Sequence, residues 1–312
     1  MKIDNFFSAY STEASCKLYF KDQRESAGII CSKCGNATHY WIESLNRWQC
    51  KKCRKSLTLK CGTVMENSNL KFKTWLWSLY FMTLTKKGFS ALELQRLVGH
   101  KRYEPIWGLM QKVRITMGRR DEKYALDGFI EMDEGFFEGH RKKDDEGLIT
   151  KPAKEMDRQV KAIVAVSTTV IVTGEHKKGH PVTKPGYLKI SVVQSLSKTD
   201  IAYEAEKMIA QAANVTTDGK TSYRTLNDIC NNHTAIVLTD KKQVTKIFPW
   251  VHIAISNAKK KIAGMHHSVK DIYMQNYLNE FCYKFNRRYF GIKLFERLMV
   301  ASISSAWYKP CT

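Results

Sequence analysis

The 312-residue chain carries 51 Lys and Arg against 30 Asp and Glu, a formal net charge of +21. Hydrophobic residues make up 43% and aromatics 11%, enough apolar material for a packed core, which excludes a disordered chain. The longest apolar run, Trp75 to Leu84, is far short of the roughly 20 residues that span a bilayer, and the N-terminus has no continuous apolar stretch of the kind a secretory signal needs. What remains is a soluble, intracellular, basic protein of two or three folded units. Its charge favours a polyanionic partner, nucleic acid first, over a merely solvated lysine-rich surface.

In chain order, residues 1–26 read as an N-terminal extension. A zinc ribbon is expected over residues 27–62, because four of the nine cysteines fall as Cys31-x2-Cys34-x15-Cys50-x2-Cys53. Each CxxC pair brings two thiolates to one metal from a tight turn, and two such knuckles complete a tetrahedral four-thiolate site. An odd cysteine count in an intracellular chain argues against a disulfide framework. Between the knuckles, apolar and polar residues alternate as in a short hairpin. Arg47, Lys51, Lys52, Arg54 and Lys55 surround the second knuckle and, with Trp48 as an exposed aromatic, suit phosphate contact and base stacking.

Residues 68–120 are helical in pattern. The run 75–84 reads as a buried helix ending near Gly88. Ser90 caps a second helix, with Glu93 completing a capping box, and Gly99 ends it. A third runs from about Tyr103 through Arg114, with Pro105 near its start. Three helices with a short Gly-bearing turn outline a helix-turn-helix, which would place His100, Lys101, Arg102 and Tyr103 at the start of the recognition helix.

Over residues 126–290 the periodicity predicts three strands, a helix, a strand, a helix, a strand and a helix. That order is an α/β sandwich of the ribonuclease-H type. The segment 140–157 is a polar insertion, 174–186 a hairpin loop between the second and third strands, and 291–312 a C-terminal tail.

The chemistry is expected from the acids. Asp133 lies in mid-strand and Asp218 closes a strand just before Gly219. Carboxylates are depleted in strands and costly to bury, so each wants an explanation beyond capping or solvation. In this topology the first and fourth strands are neighbours and the two acids face each other. Close carboxylates repel unless a proton or a cation joins them. Magnesium or manganese suits such oxygen ligands, and a pair of ions can activate a nucleophile and stabilise a leaving oxygen in phosphodiester transfer. A third residue should come from the helix after the last strand. His252 and Lys259, seven apart, share a helical face, whereas Asn257 lies on another. Lys259, Lys260 and Lys261 would meet the DNA backbone.

The ribbon CSKC…CKKC, the strand IEMDEGFFEG, the turn TTDG and the tail from His252 to Arg288 together resemble one family: ISXO-type transposases of bacterial insertion sequences, which carry an N-terminal zinc ribbon, are related to eukaryotic Merlin elements and belong to the DDE superfamily. The tail matches most specifically, with a G-x-x-H turn at 264–267 and then Tyr277, Leu278, Glu280, Phe281, Phe285, Asn286, Arg287 and Arg288. The resemblance puts the first two catalytic aspartates on Asp133 and Asp218. In one branch the third acid is Asn followed closely by Lys, which points to Asn257 and Lys259; the branch that keeps Glu points to His252 instead. It implies structural zinc, Mg2+ or Mn2+ at the active site, and double-stranded DNA as partner, both terminal inverted repeats and target. It also implies cleavage and strand transfer by a cut-and-paste or copy route, a homodimer or higher assembly on DNA, and a place in the bacterial cytoplasm at the nucleoid. Arg287 and Arg288, on the last helix, would grip flanking phosphates. The competing reading is a DNA-binding regulator built on an inactive transposase scaffold.

Overall fold

The computed structural model describes residues 2–139, 159–171, 182–237, 247–266, 269–304 and 306–307. The insertion at 140–157, all but the end of the 174–186 loop, and His267 lie outside them. The chain divides into two compact units, Met1–Arg120 with Arg287–Thr312, and Asp121–Asn286. No helix among the described residues is long and apolar enough to cross a membrane.

The first unit begins with α1 (Ile3–Ala9) and α2 (Glu13–Ala27), so the stretch expected as an extension is largely helical. Thr12 and Ser15 form a reciprocal capping box at the start of α2. The ribbon follows as a three-stranded antiparallel sheet, β1 (His39–Ile42), β2 (Arg47–Cys50) and β3 (Ser56–Thr58), in the order β1-β2-β3. Three helices come next: α3 (Phe72–Leu84), α4 (Ala91–Val98) and α5 (Tyr103–Glu122). The Ser90 hydroxyl accepts from the Glu93 N–H at 3.1 Å, which is one half of the expected capping box, and Gly99 ends α4 in the left-handed region at φ 66°. Phe6 of α1 stacks on Tyr80 of α3 at 3.7 Å between ring centroids, and Phe295 packs edge-on to both. Phe295 lies in the helix Leu294–Ser304 of the C-terminal tail, which therefore contributes to this unit's core.

The second unit is one five-stranded sheet. Its strands are β4 (Phe129–Glu138), β5 (Gln159–Val170), β6 (Thr183–Val193), β7 (Asn214–Asp218) and β8 (Asn232–Ile236), in the order β6-β5-β4-β7-β8. β4, β5 and β6 are antiparallel, and β7 and β8 run parallel to β4. This is the ribonuclease-H arrangement, with the first and fourth strands adjacent at the centre. Helix α6 (Lys198–Met208), capped by Ser197, and a 3-10 helix (Thr221–Asp228) cover one face. Helices α7 (Pro249–Met265) and α8 (Asp271–Asn286) cover the other. Strand alternation sorts β4 between the two cores. Ile130 and Met132 join the α6 side and Phe137 joins the α7 and α8 side.

α8 runs against the edge strand β6 and answers its backbone. Gln275 accepts from the Val192 N–H at 2.7 Å and donates to the Ile190 carbonyl at 2.9 Å. At the last residue of the helix, Asn286 accepts from the Leu188 N–H at 2.7 Å and donates to the Leu188 carbonyl at 3.0 Å. Gly264 of the G-x-x-H motif lies inside α7. Arg287 and Arg288, expected on the last helix of the catalytic domain, lie just past the end of α8.

Candidate functional site

The four ribbon cysteines converge, all four sulfurs lying within 4.8 Å of one another. Cys31 and Cys53 are 3.5 Å apart, Sγ to Sγ, and Cys34 and Cys50 are 3.6 Å apart. A tetrahedron of zinc–sulfur bonds of about 2.3 Å has edges of about 3.8 Å, so the cluster fits structural zinc. The two knuckles share their backbone geometry. The residue after each second cysteine, Gly35 at φ 69° and Arg54 at φ 59°, is left-handed, and the Gly35 and Arg54 N–H groups return to the Cys31 and Cys50 carbonyls. Backbone amides, that of Cys53 foremost, hold the Cys50 thiol below its ordinary value.

Lys51, Lys52, Arg54 and Lys55 are exposed on the second knuckle, and Arg47 is half-buried. Trp48 overturns the expectation of a stacking surface. It is 2% exposed in the ribbon core, its Nε1 donates to Glu25 at 3.0 Å and the Arg24 guanidinium lies over its ring. Lys101 and Arg102 are exposed at the start of α5, as the helix-turn-helix reading requires.

Asp133 and Asp218 meet because β4 and β7 are parallel neighbours. Glu131 pairs with Thr216, so two further steps along both strands bring Asp133 level with Asp218, where β7 stops. Carboxylate oxygens of Asp133, Glu134 and Asp218 lie within 4.8 Å of one another. Burial first, then repulsion from Glu134 and Asp218, pushes the Asp133 carboxyl above its ordinary value, against the Glu134 N–H donating at 2.8 Å and the His252 ring. His252, in the first turn of α7, places Nδ1 3.7 Å from Asp133 Oδ2, while its Nε2 is buried with no hydrogen-bond partner among the described residues. Asn257 and Lys259 are both exposed on α7. The geometry thus brings His252, and not Asn257, beside Asp133. Lys261 does not face outward as expected: its side chain is 11% exposed and lies 3.5 Å from buried Glu280, which Lys284 also contacts.

Four residues of this site escaped the sequence reading. Glu134 is one. Lys220, two residues past Asp218, sends its ammonium to Glu134 and, at 3.1 Å, to Asp218. Burial alone would lower the Lys220 pKa, but these two acids outweigh it and hold the group above the usual lysine value. Tyr223, fully buried, has a hydroxyl that faces Glu134 but makes no hydrogen bond of 3.5 Å or less among the described residues. Glu131, the fourth, is 7% exposed, and its carboxylate accepts from the Trp250 and Val251 N–H groups at 2.8 and 2.9 Å. These are the open amides of the first turn of α7, whose N-cap Phe248 offers no side-chain acceptor and whose first residue is Pro249. Burial, ahead of those two amides, pushes the Glu131 carboxyl up to about 7. The period-2 pattern puts Glu131 and Asp133 on one face of β4, which was the available signal. Gly219 allows the turn after Asp218, since a Cβ there would lie 2.5 Å from Val237 Cγ2 and 3.3 Å from its Cα.

Three oxygen donors within one ion's reach, with a single lysine against three carboxylates, fit a hard divalent ion in donor chemistry. Among curated proteins no sequence matches the chain. Residues 125–286, just over half of it, match the ISXO2-like transposase domain, and residues 11–56 match the transposase zinc-ribbon domain, which takes in α2 as well as the ribbon. With its four-cysteine cluster and its paired aspartates on adjacent central strands, the chain belongs to the zinc-ribbon DDE transposases of the IS1595 family.

Proposed function

We propose that the chain is an insertion-sequence transposase that binds terminal inverted repeats and catalyses metal-dependent DNA cleavage and strand transfer. The observation that carries this reading is the meeting of Asp133 and Asp218 at the end of β7, with His252 beside Asp133. Asp133 and Asp218 would hold Mg2+ or Mn2+, and His252 would complete the site. The bound ions supply Lewis-acid polarisation of the scissile phosphate and activation of the attacking oxygen. Lys259, two turns beyond His252 on the same helical face, steadies the phosphate from outside. The exposed bases of the second knuckle, Lys101 and Arg102, together with Arg287 and Arg288, take phosphates of element and target duplexes, and the protein acts as a dimer or higher assembly on DNA.

The test is cleavage and strand transfer on a duplex ending in the element's inverted repeat, in Mg2+ or Mn2+. Asp133→Ala and Asp218→Ala should each abolish both steps while leaving end binding intact. Cleavage by either variant would overturn the assignment. A wild-type chain that binds the ends without breaking them would instead support the regulator reading.

A further inference from the structure

We propose that Glu134 supplies a third carboxylate to the divalent-ion site, and that Lys220 is a tethered counter-cation that holds Glu134 and Asp218 together until an ion displaces it. The inference rests on the reading of Asp133 and Asp218 as ion ligands and names what else the ion meets.

By strand alternation, Asp133 and Glu134 should point to opposite faces of the sheet. They nonetheless share one site, because β7 ends at Asp218, level with Asp133, and beyond that point β4 has no neighbour on this side. Both faces open onto the same gap, and the three carboxylates come within 4.8 Å of one another. Glu134 is buried at 7% exposure, and a carboxylate is not placed there without a partner. The partner present is the Lys220 ammonium, shared with Asp218.

A second observation points to a ligand. The Tyr223 hydroxyl is fully buried, makes no hydrogen bond of 3.5 Å or less among the described residues, and faces the Glu134 carboxylate in the field of Asp133 and Asp218. A buried hydroxyl without a partner at ordinary hydrogen-bond length is costly, and a water or an oxygen ligand belonging to a hydrated ion at the acids would satisfy it. The charges agree. Three carboxylates against one ammonium leave a formal charge of −2, which a divalent ion neutralises. The Lys220 side chain is 52% exposed, so it has solvent to move into.

The test is binding of Mn2+ to the full-length, zinc-loaded chain without DNA, read from the electron paramagnetic resonance of free Mn2+. Glu134→Gln should weaken binding on the order of tenfold or more, and Glu134→Asp, which keeps the charge with a shorter reach, should fall between it and wild type. Lys220→Met should tighten binding by several fold, since the ion no longer competes with a built-in cation. Thermal melts and zinc content establish that each variant is folded, and if Glu134→Gln does not fold, Glu134→Asp and Lys220→Met decide the matter. Wild-type binding by Glu134→Gln, alongside weakened binding by Asp133→Asn and Asp218→Asn, overturns the third carboxylate alone. Unchanged affinity in Lys220→Met overturns the counter-cation. If Asp133→Asn and Asp218→Asn also bind as wild type, the underlying ion-site reading fails instead.

Discussion

Glu131 allows a sharp test of how the active-site helix is held. Its carboxylate accepts from two amides of the first turn of α7, one residue before His252. Hydrogen bonds to a charged acceptor contribute about 1.5–3 kcal/mol each, so the pair contributes roughly 3–6 kcal/mol before costs. Burial outweighs them: with both amides bonded, the carboxyl is still raised from 4.5 to about 7, a net loss of about 3 kcal/mol of preference for its charged form. The site therefore gains nothing from the charge itself, while its need for an acceptor is large. Glu131→Gln, which keeps a carbonyl oxygen but no charge, should lie within about 1 kcal/mol of wild type in urea unfolding. Glu131→Ala leaves two buried N–H groups unmet and removes a packed side chain, and should cost roughly 2–5 kcal/mol. DNA cleavage should follow the same order, with Glu131→Ala losing rate beyond its loss of folded protein because the start of α7 also positions His252. If Glu131→Gln proved as damaging as Glu131→Ala, the charge itself would matter and the reasoning would fail. If Glu131→Ala cost under about 0.5 kcal/mol, the clamp would have no mechanical role.

Zinc removal by a chelator, or Cys50→Ser, should eliminate bound zinc and expose residues 27–62 to limited proteolysis, while the Asp121–Asn286 unit keeps its sheet; persistence of the ribbon without metal would refute this. His233, which bonds Thr217 at 2.9 Å and Asn227 at 3.1 Å, has its pKa lowered by burial. The unfolded chain therefore takes up this proton before the folded one does. The stability involved is present above the ordinary value near 6.5 and is lost as pH falls through the lower folded value, so melting temperature should drop in mild acid by a component absent in His233→Gln. DNA end binding should weaken about a thousandfold or more between 50 and 200 mM salt, and Lys51→Ala with Lys52→Ala should flatten that slope by about one unit per lost phosphate contact. A salt-independent affinity would contradict the assignment of these bases.

Most of the architecture was legible in the sequence because it is written in local patterns. Metal-ligand spacing marked the ribbon, Ser90 and Gly99 bracketed α4, and β-branched runs marked β5 and β6. The order of elements then placed β4 beside β7, and with it Asp133 beside Asp218. What escaped depends on contacts between distant parts of the chain. Trp48 looks like any aromatic among bases until Glu25 and Arg24, from a helix some 20 residues earlier, enclose it. Glu131 and Glu134 resemble ordinary strand acids until α7 and Lys220 arrive to meet them. His252 comes beside Asp133 because it lies in the first turn of α7, which Glu131 holds against β4, while Asn257 lies further along the helix and is exposed.

The side-chain amides that Gln275 and Asn286 lay along β6 bear on how such a protein is kept from joining to itself. An open sheet edge invites a strand from another molecule, and proteins gathered on one stretch of DNA stand at high local concentration. With the Leu188 N–H and carbonyl, the Ile190 carbonyl and the Val192 N–H already answered by α8, that stretch of the edge is closed to cross-chain pairing. For copies that meet on an element's two ends, as proposed above, strand addition along this stretch is closed, and association falls to other surfaces, where the geometry of the DNA sets which copies meet.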